Sequence, residues 1–273
     1  MPLFISSLNS GSNGNCYYIG NDHEAVLIDA GISCRETEKR MKRLGLEMDK
    51  VKAIFVSHEH GDHITGVPGI SKKYKLPVYI TPATLHGSQL PLEPSLVNSF
   101  EPGKPVNVGQ LSVIPFRKYH DAVDPHSFVI SQNEVRIGVF TDIGRCCDEV
   151  KKYFRECDAV FLESNYCHDM LEKGRYPYHL KRRISGGEGH LSNMEALELF
   201  SKFRGQQLKY LILSHLSNNN NDAELVNRLF TAQAGSTNIV VASRHKETGV
   251  YHISKTSPAI QDKEVIQVQL SLF

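Results

Sequence analysis

The densest chemistry in the chain lies in Ser57-His58-Glu59-His60-Gly61-Asp62-His63, directly after the apolar run Val51-Lys52-Ala53-Ile54-Phe55-Val56. Clustered imidazoles lose solvation and repel one another when charged, so such a group is costly unless something binds it. A divalent cation removes that cost, and neutral His nitrogen and Asp oxygen are ordinary ligands for zinc, manganese and iron. In an extended segment His58 and His60 point the same way, whereas Asp62 and His63 fall beyond the turn that Gly61 is expected to allow. The loop therefore reads as two metal sites.

Other acids and histidines leave strand-like runs in a similar way. Val26-Leu27-Ile28 delivers Asp29 before Ala30-Gly31, and Val135 to Thr141 delivers Asp142 before Ile143-Gly144. This repetition predicts two sheets of like construction whose carboxyl ends share an edge, where α/β sheets place their sites. His215 follows the strand Leu208 to Leu213, and His120 follows the strand 111 to 117. Taken singly, an acid placed like Asp29 is more often a loop cap, and a strand-end histidine like His120 is more often structural. His190 precedes Leu191-Ser192-Asn193 and a helix Met194 to Phe203, beside an N-terminus that favours anions.

Strands are expected at Leu3 to Leu8, Cys16 to Ile19, Ala25 to Ile28, Ala53 to Val56 and Pro77 to Ile80, with helices at Arg35 to Leu44 and Gly66 to Tyr74. Five prolines between Pro82 and Pro105 argue against long elements there. An antiparallel meander follows from Val106 to Phe140. Then come a helix Asp148 to Cys157, a strand Ala159 to Leu162 ending in Glu163, a helix from Asp222 to Phe230, and strands Asn238 to Ala242 and Gly249 to Ile253. The loop Asn9 to Asn15 is either a plain hairpin loop or a set of N–H donors near an anion. Lys173 to Arg183 alternates cations with aromatic rings, as either a solvated helix-loop face or a phosphate and stacking surface.

With 273 residues, 31 basic and 30 acidic side chains, the net charge is +1, so any polyanionic partner must be met by a local patch. Six cysteines without CxxC spacing suit reduced thiols. Met1-Pro2-Leu3-Phe4-Ile5 lacks a basic leader, and no apolar run reaches spanning length, so a soluble cytoplasmic protein without membrane contact is expected. One domain over residues 1–254 is expected, followed by an appendage, 255–273, whose run Glu264 to Leu270 could add an edge strand.

In order, Asp29, His58-x-His60-x-Asp62-His63, His120, Asp142 and His215 resemble the five motifs of the metallo-β-lactamase superfamily. Ser10 to Asn15, His120-Asp121-Ala122, Leu162 to Asn165 and Gly189 to Asn193 resemble its YycJ or WalJ branch, whose members are regarded as DNA exonucleases. The resemblance implies an α/β fold, a four-layer αββα sandwich of two mixed sheets flanked by helices. It implies one metal on His58, His60 and His120, a second on Asp62, His63 and His215, Asp142 bridging, and Asp29 orienting the histidines. Gly189-His190 resembles the histidine motif of ribonuclease Z and the phosphate-contacting histidine of β-CASP nucleases. The 73-residue step from Asp142 to His215 is too short for a full β-CASP domain, and a flavodoxin-like extension is lacking.

Two divalent ions would activate a water for in-line attack on a phosphodiester and polarise its phosphoryl oxygen. Asp62 and His190 are the candidate catalytic residues, with His190 donating to the phosphate or protonating the leaving oxygen. Lys181, Arg182 and Arg183 are candidates to hold flanking phosphates. Nucleic acid, DNA in particular, is thus the expected substrate, with Zn2+, Mn2+ or Fe as the metal. Two alternatives are a small ester, thioester or lactam hydrolase and a non-hydrolytic metal-binding regulatory protein. The first leaves the basic-aromatic stretch and His190 unexplained, and the second has no need of an open dinuclear site.

Overall fold

The computed structural model describes residues 2–255. Short apolar runs punctuated by Gly, Asn and Asp turns form two seven-stranded sheets. The first contains β1 (Leu3–Asn9), β2 (Cys16–Gly20), β3 (Ala25–Ile28), β4 (Val51–Phe55), β5 (Val78–Tyr79) and β6 (Val97–Asn98). The second contains β7 (Val106–Val108), β8 (Leu111–Arg117), β9 (His126–Gln132), β10 (Val135–Phe140), β11 (Ala159–Glu163), β12 (Tyr210–Ser214) and β13 (Asn238–Val241). The chain then returns as β14 (Tyr251–Ile253), which pairs with β1 through Leu3 opposite Ile253.

The two sheets share one plan. In the first, β14, β1, β2 and β3 pair antiparallel, then β3 to β6 run parallel. In the second, β7 to β10 are antiparallel and β10 to β13 parallel. The likeness foreseen from Asp29 and Asp142 is thus real, since β3 and β10 are corresponding strands at the junction of the two halves. Parallel strands are covered on both faces, which is why Ala25–Ile28 and Ala159–Glu163 are buried throughout.

Inner faces of both sheets meet in one core, with Tyr17 and Ile28 from the first and Phe128, Val139 and Phe161 from the second. Rings of Tyr17 and Phe161 lie 4.9 Å apart across the sheets, and each such side chain contributes about 1.5–3 kcal/mol by leaving water. Helices Cys34–Arg43 and Val67–Tyr74 cover the first sheet's outer face through Met41, Val67 and Ile70. Helices Asp148–Glu156, Asn193–Phe203 and Ala223–Thr231 cover the second through Phe154, Phe200 and Phe230. These are the four expected layers.

Caps fix the helix starts. Ser192 and Glu195 form a reciprocal capping box, and Asp222 accepts from Leu225 N at 2.8 Å. The proline-rich segment holds only short pieces, among them Pro82–Ser88. The basic-aromatic stretch becomes helix Tyr178–Ser185, entered from Pro177. Among the described residues no helix is long and apolar enough to cross a membrane, and all six cysteines are unpaired. The strand expected at Glu264 to Leu270 lies outside the described residues.

Candidate metal centre

Parallel strands of both sheets discharge their side chains at one edge. Asp29 follows β3, His58 follows β4, Asp142 follows β10, Glu163 ends β11 and His215 follows β12. Asp29, Asp142 and His215 all adopt left-handed backbone conformations, with φ of 58°, 55° and 56°. Outside glycine that region is populated chiefly by Asn, Asp and His, so these types suit the sharp exit as well as the chemistry.

Gly61 does not make the turn expected of it. It starts the helical turn Gly61–Ile64, and a side chain there would meet nothing within 4 Å. The tight approach is made instead by Gly31 and Gly66. A Cβ on Gly31 would lie 1.7 Å from Asp62 O, and one on Gly66 1.9 Å from Ile32 O. These absent side chains let Asn15 N donate to Asp62 O at 2.7 Å and Ala30 N to His63 O at 2.9 Å.

Two groups of donors result. His58 Nε2, His60 Nδ1 and His120 Nε2 converge, with 3.1 Å between the first two and 3.3 Å between the last two. Beside them, Asp62 Oδ2 lies 3.7 Å from His63 Nε2 and 3.4 Å from His215 Nε2. Asp142 stands between the groups, with Oδ1 3.8 Å from His120 Nε2 and Oδ2 3.1 Å from His63 Nε2. All the residues named from the sequence as possible ligands are therefore brought together.

Hydrogen bonds behind the rings set which nitrogen carries the proton. His120 Nδ1 can only donate to the Gly189 carbonyl at 2.8 Å, leaving Nε2 a bare lone pair. Ser57 Oγ donates to Asp29 Oδ2 at 2.7 Å and so accepts from His58 Nδ1 at 2.9 Å, which bares His58 Nε2. His63 Nδ1 donates to the same Asp29 oxygen at 2.7 Å. Burial drives His58 well below the usual imidazole pKa, with His63 adding to it, and drives His120 down to about 4. The bared Nε2 atoms of His58 and His120 lie 3.1 and 3.3 Å from His60 Nδ1, close to the N···N spacing of about 3.3 Å for two imidazoles bound tetrahedrally at about 2.0–2.1 Å. Asp142 Oδ2 is buried without a hydrogen bond. The residues present fit divalent cations.

Charge leads to the same view. Asp29, Asp62, Asp142 and Glu163 surround the cluster, and among the described lysines only Lys118 is buried near it, its Nζ donating to Thr141 O at 2.7 Å. Burial disfavours protonated His63, yet Asp142, Asp29 and Asp62 overcome it and hold the ring up to about 10. His215 is likewise raised, against burial, by Asp142, Asp62 and Glu163. Burial opposes ionisation of Asp62 and Asp142, but His63 and His215 keep both carboxyls below the ordinary range. The acids demand positive charge, which protons on two imidazoles supply and divalent ions would replace.

Glu163, Asn15 and Ser10 stand in stretches that resemble the family branch, but the sequence reading gave them no role at the cluster. Glu163 is fully buried and accepts from Ile143 N at 2.8 Å and Leu191 N at 3.1 Å. Its Oε1 lies 2.8 Å from His190 Nδ1 and 3.1 Å from His215 Nδ1, and these rings hold its carboxyl at about 2 despite burial. Beside the resemblance of Leu162 to Asn165, its signal is an acid ending an apolar strand, the pattern shared by Asp29 and Asp142. Asn15 Nδ2 approaches Asp62 Oδ2 at 3.2 Å, and Ser10 Oγ accepts from His215 N at 2.8 Å. The 9–15 loop therefore braces the candidate ligands Asp62 and His215 as well as turning the chain.

A cleft opens beside the cluster, lined by His190, His215, Ser12, Tyr176, Arg183 and Ser217. Of the three cations proposed for phosphates, only Arg183 lines it, paired there with Asp121. Lys181 donates to the Glu172 carbonyl, and the Arg182 guanidinium lies 6.0 Å from the Tyr178 ring centre.

A family model described as a β-lactamase superfamily domain matches residues 24–215, which include every strand-end residue above. The chain belongs to the metallo-β-lactamase superfamily. Within that superfamily it is 35% identical over 230 residues to the exodeoxyribonuclease YycJ of Bacillus anthracis, covering 82% of this chain and 86% of the relative. It is 31% identical over 240 residues to the exodeoxyribonuclease WalJ of Streptococcus pneumoniae, covering 84% and 89%. The metallo-β-lactamase fold protein YhfI of Bacillus subtilis superposes with a TM-score of 0.71 at 16% identity, covering 92% of this chain and all of that one. Zn(2+)-bound PqqB of Methylobacterium extorquens gives 0.68 at 13%, covering 90% and 99%. These two likenesses show the shared metallo-β-lactamase fold.

Proposed function

We propose that this protein is a metal-dependent hydrolase of phosphodiester bonds in nucleic acid, a DNA exonuclease acting in the cytoplasm, with residues 1–254 as the hydrolase unit. The observation that carries the substrate assignment is the likeness, over more than four fifths of the chain, to two proteins named exodeoxyribonuclease. His58, His60 and His120 would hold one divalent ion and Asp62, His63 and His215 another, with Asp142 standing between the two groups. Zinc and manganese suit these ligands, with iron the third choice.

When bound, the two ions supply water activated at neutral pH and a polarised phosphoryl oxygen. The chain does the rest. Asp29 fixes the His63 ring directly and the His58 ring through Ser57. His190, its Nδ1 committed to Glu163, presents Nε2 to hold or deliver a proton at the leaving oxygen. Asp62 serves as ligand and, through Asn15, as the link to the 9–15 loop.

The test is a panel of end-labelled single- and double-stranded DNA and RNA, beside generic esters, given to chelator-stripped and metal-reloaded protein. Stepwise nucleotide release from DNA that vanishes on stripping and returns with Zn2+ or Mn2+ is expected. Turnover of esters without nucleotide release from any nucleic acid would refute the reading.

A further inference from the structure

Beyond Ser217 the cleft opens into a second hollow, which shares Leu216 and Ser217 with the first. Its outer wall is the segment Val241 to Lys246, which presents Arg244, His245 and Lys246 in succession. Arg244 Nη2 donates to Ser12 Oγ at 2.8 Å, and Ser12 lines the first cleft, so this guanidinium stands where the two hollows meet. None of these residues belongs to the metal cluster or to helix Tyr178–Ser185.

This wall is built rigidly. Buried Arg40 donates to Leu8 O at 2.8 Å, Asn9 Oδ1 at 2.7 Å and His245 O at 3.2 Å. Asn13 Nδ2 donates to Arg244 O at 2.9 Å, and Thr248 N to Ser7 O at 2.9 Å. Glu247 takes both arms of Arg43 at 2.6 and 2.7 Å and Glu36 pairs with Arg40, while Asp222, the acid that lines the second hollow, is turned to cap its own helix through Oδ1. Arg244 and Lys246 have no carboxylate partner among the described residues. The N–H groups of Ser12 and Asn13 likewise donate to no protein acceptor among them.

Two unneutralised cations on a fixed wall, beside free N–H donors and continuous with a hydrolytic cleft, match the repeating charge of a phosphodiester backbone. We infer that Ser12, Arg244 and Lys246 form a phosphate shelf that carries one strand of nucleic acid away from the metal centre. The inference rests on the nuclease reading above. The strand runs from the cleft floor at His190 and His215, past Ser217, with successive phosphates on Arg244 and Lys246. Helix Tyr178–Ser185 forms the opposite wall, so the sequence pointed to one bank and the structure adds the other.

The test uses full-length, metal-loaded protein and a hydrolysis-resistant phosphorothioate single strand of about twelve nucleotides. Binding is followed by fluorescence anisotropy from low to high salt. For R244Q/K246Q the slope of log affinity against log salt should fall by about 1.4, near 0.7 for each phosphate no longer neutralised on a single strand, and K246Q alone should show about half of that decrease. Affinity at low salt should drop about tenfold, with the melting temperature unchanged. K202Q, which removes a cation paired with Glu198 outside the cleft, should leave the slope alone. Equal slopes for wild type and R244Q/K246Q would overturn the shelf, and stepwise nucleotide release by the wild type would then leave the nuclease reading standing. A wild type that neither binds the strand nor releases nucleotides from DNA would overturn both.

Discussion

Replacing Asp29 by Asn is the most informative single change, because it alters hydrogen bonding while sparing backbone and volume. Asp29 sits at φ 58°, a conformation Asn adopts as readily, whereas Ala there would add strain unrelated to the metal. Its Oδ2 accepts from Ser57 Oγ and His63 Nδ1, both at 2.7 Å, and Oδ1 accepts from Ser57 N at 2.8 Å. An amide has one acceptor. If its NH2 replaces Oδ2 it confronts the His63 Nδ1 proton, and if it replaces Oδ1 it confronts Ser57 N–H. Relief in the first case moves the His63 proton to Nε2, the atom that faces Asp62 and Asp142 and must be bare to bind a cation. Loss of a hydrogen bond to a charged group costs about 1.5–3 kcal/mol. Removing the outer partner of a ligating histidine costs about 10- to 100-fold in metal affinity, or about 1.4–2.8 kcal/mol, so the two estimates agree. His58, reached only through Ser57, should suffer less. The expected titration against a chromogenic chelator shows one ion held nearly as in wild type and a second weakened 10- to 100-fold. Two ions bound with unchanged affinity would refute the argument that Asp29 sets the histidine tautomers.

Other consequences are as direct. His190→Ala should lower kcat by about 10²- to 10⁴-fold while metal analysis still finds two ions, since Nε2 serves the proton and not the cations. Arg40→Met strands the carbonyls of Leu8 and His245 and should destabilise the fold by about 3 kcal/mol or more, read as a lower urea midpoint together with faster proteolytic cutting near Lys246. Cys34 is pushed up to about 11 by burial and by its 3.0 Å hydrogen bond to Glu38 Oε1. Its reactive thiolate is therefore on the order of one part in a thousand at pH 8. Alkylation of Cys34 followed by mass spectrometry should accelerate as pH rises toward 11, and Glu38→Gln should speed it at pH 8.

Features that reside in one strand and its exit were legible without coordinates. An apolar run, an acid and a small residue located Asp29 and Asp142, and their likeness foretold two sheets of one plan. Roles made by distant partners were not legible. His120 resembles any strand-end histidine until Gly189 O, 69 residues away, fixes its proton. Glu163 shows the same pattern as Asp29, yet its hydrogen-bond partners are supplied by Ile143, His190, Leu191 and His215. Helical facing decided the fate of Lys181, Arg182 and Arg183, because adjacent residues on a helix point in different directions. Close approach hid the roles of Gly31 and Gly66, since packing against a backbone oxygen far along the chain leaves no local mark.

The left-handed exits at Asp29, Asp142 and His215 also bear on how such a centre can drift. Codons for Asp, Asn and His differ from one another by a single first base, and these three residues are the non-glycine types that tolerate this backbone best. A random mutation at the first base thus often exchanges oxygen and nitrogen donors without disturbing the chain, whereas β-branched replacements meet steric resistance before metal chemistry is even tested. Libraries built to retune metal preference would be best confined to that trio at these positions, with wider diversity reserved for Asp62 and His60, whose backbones are ordinary.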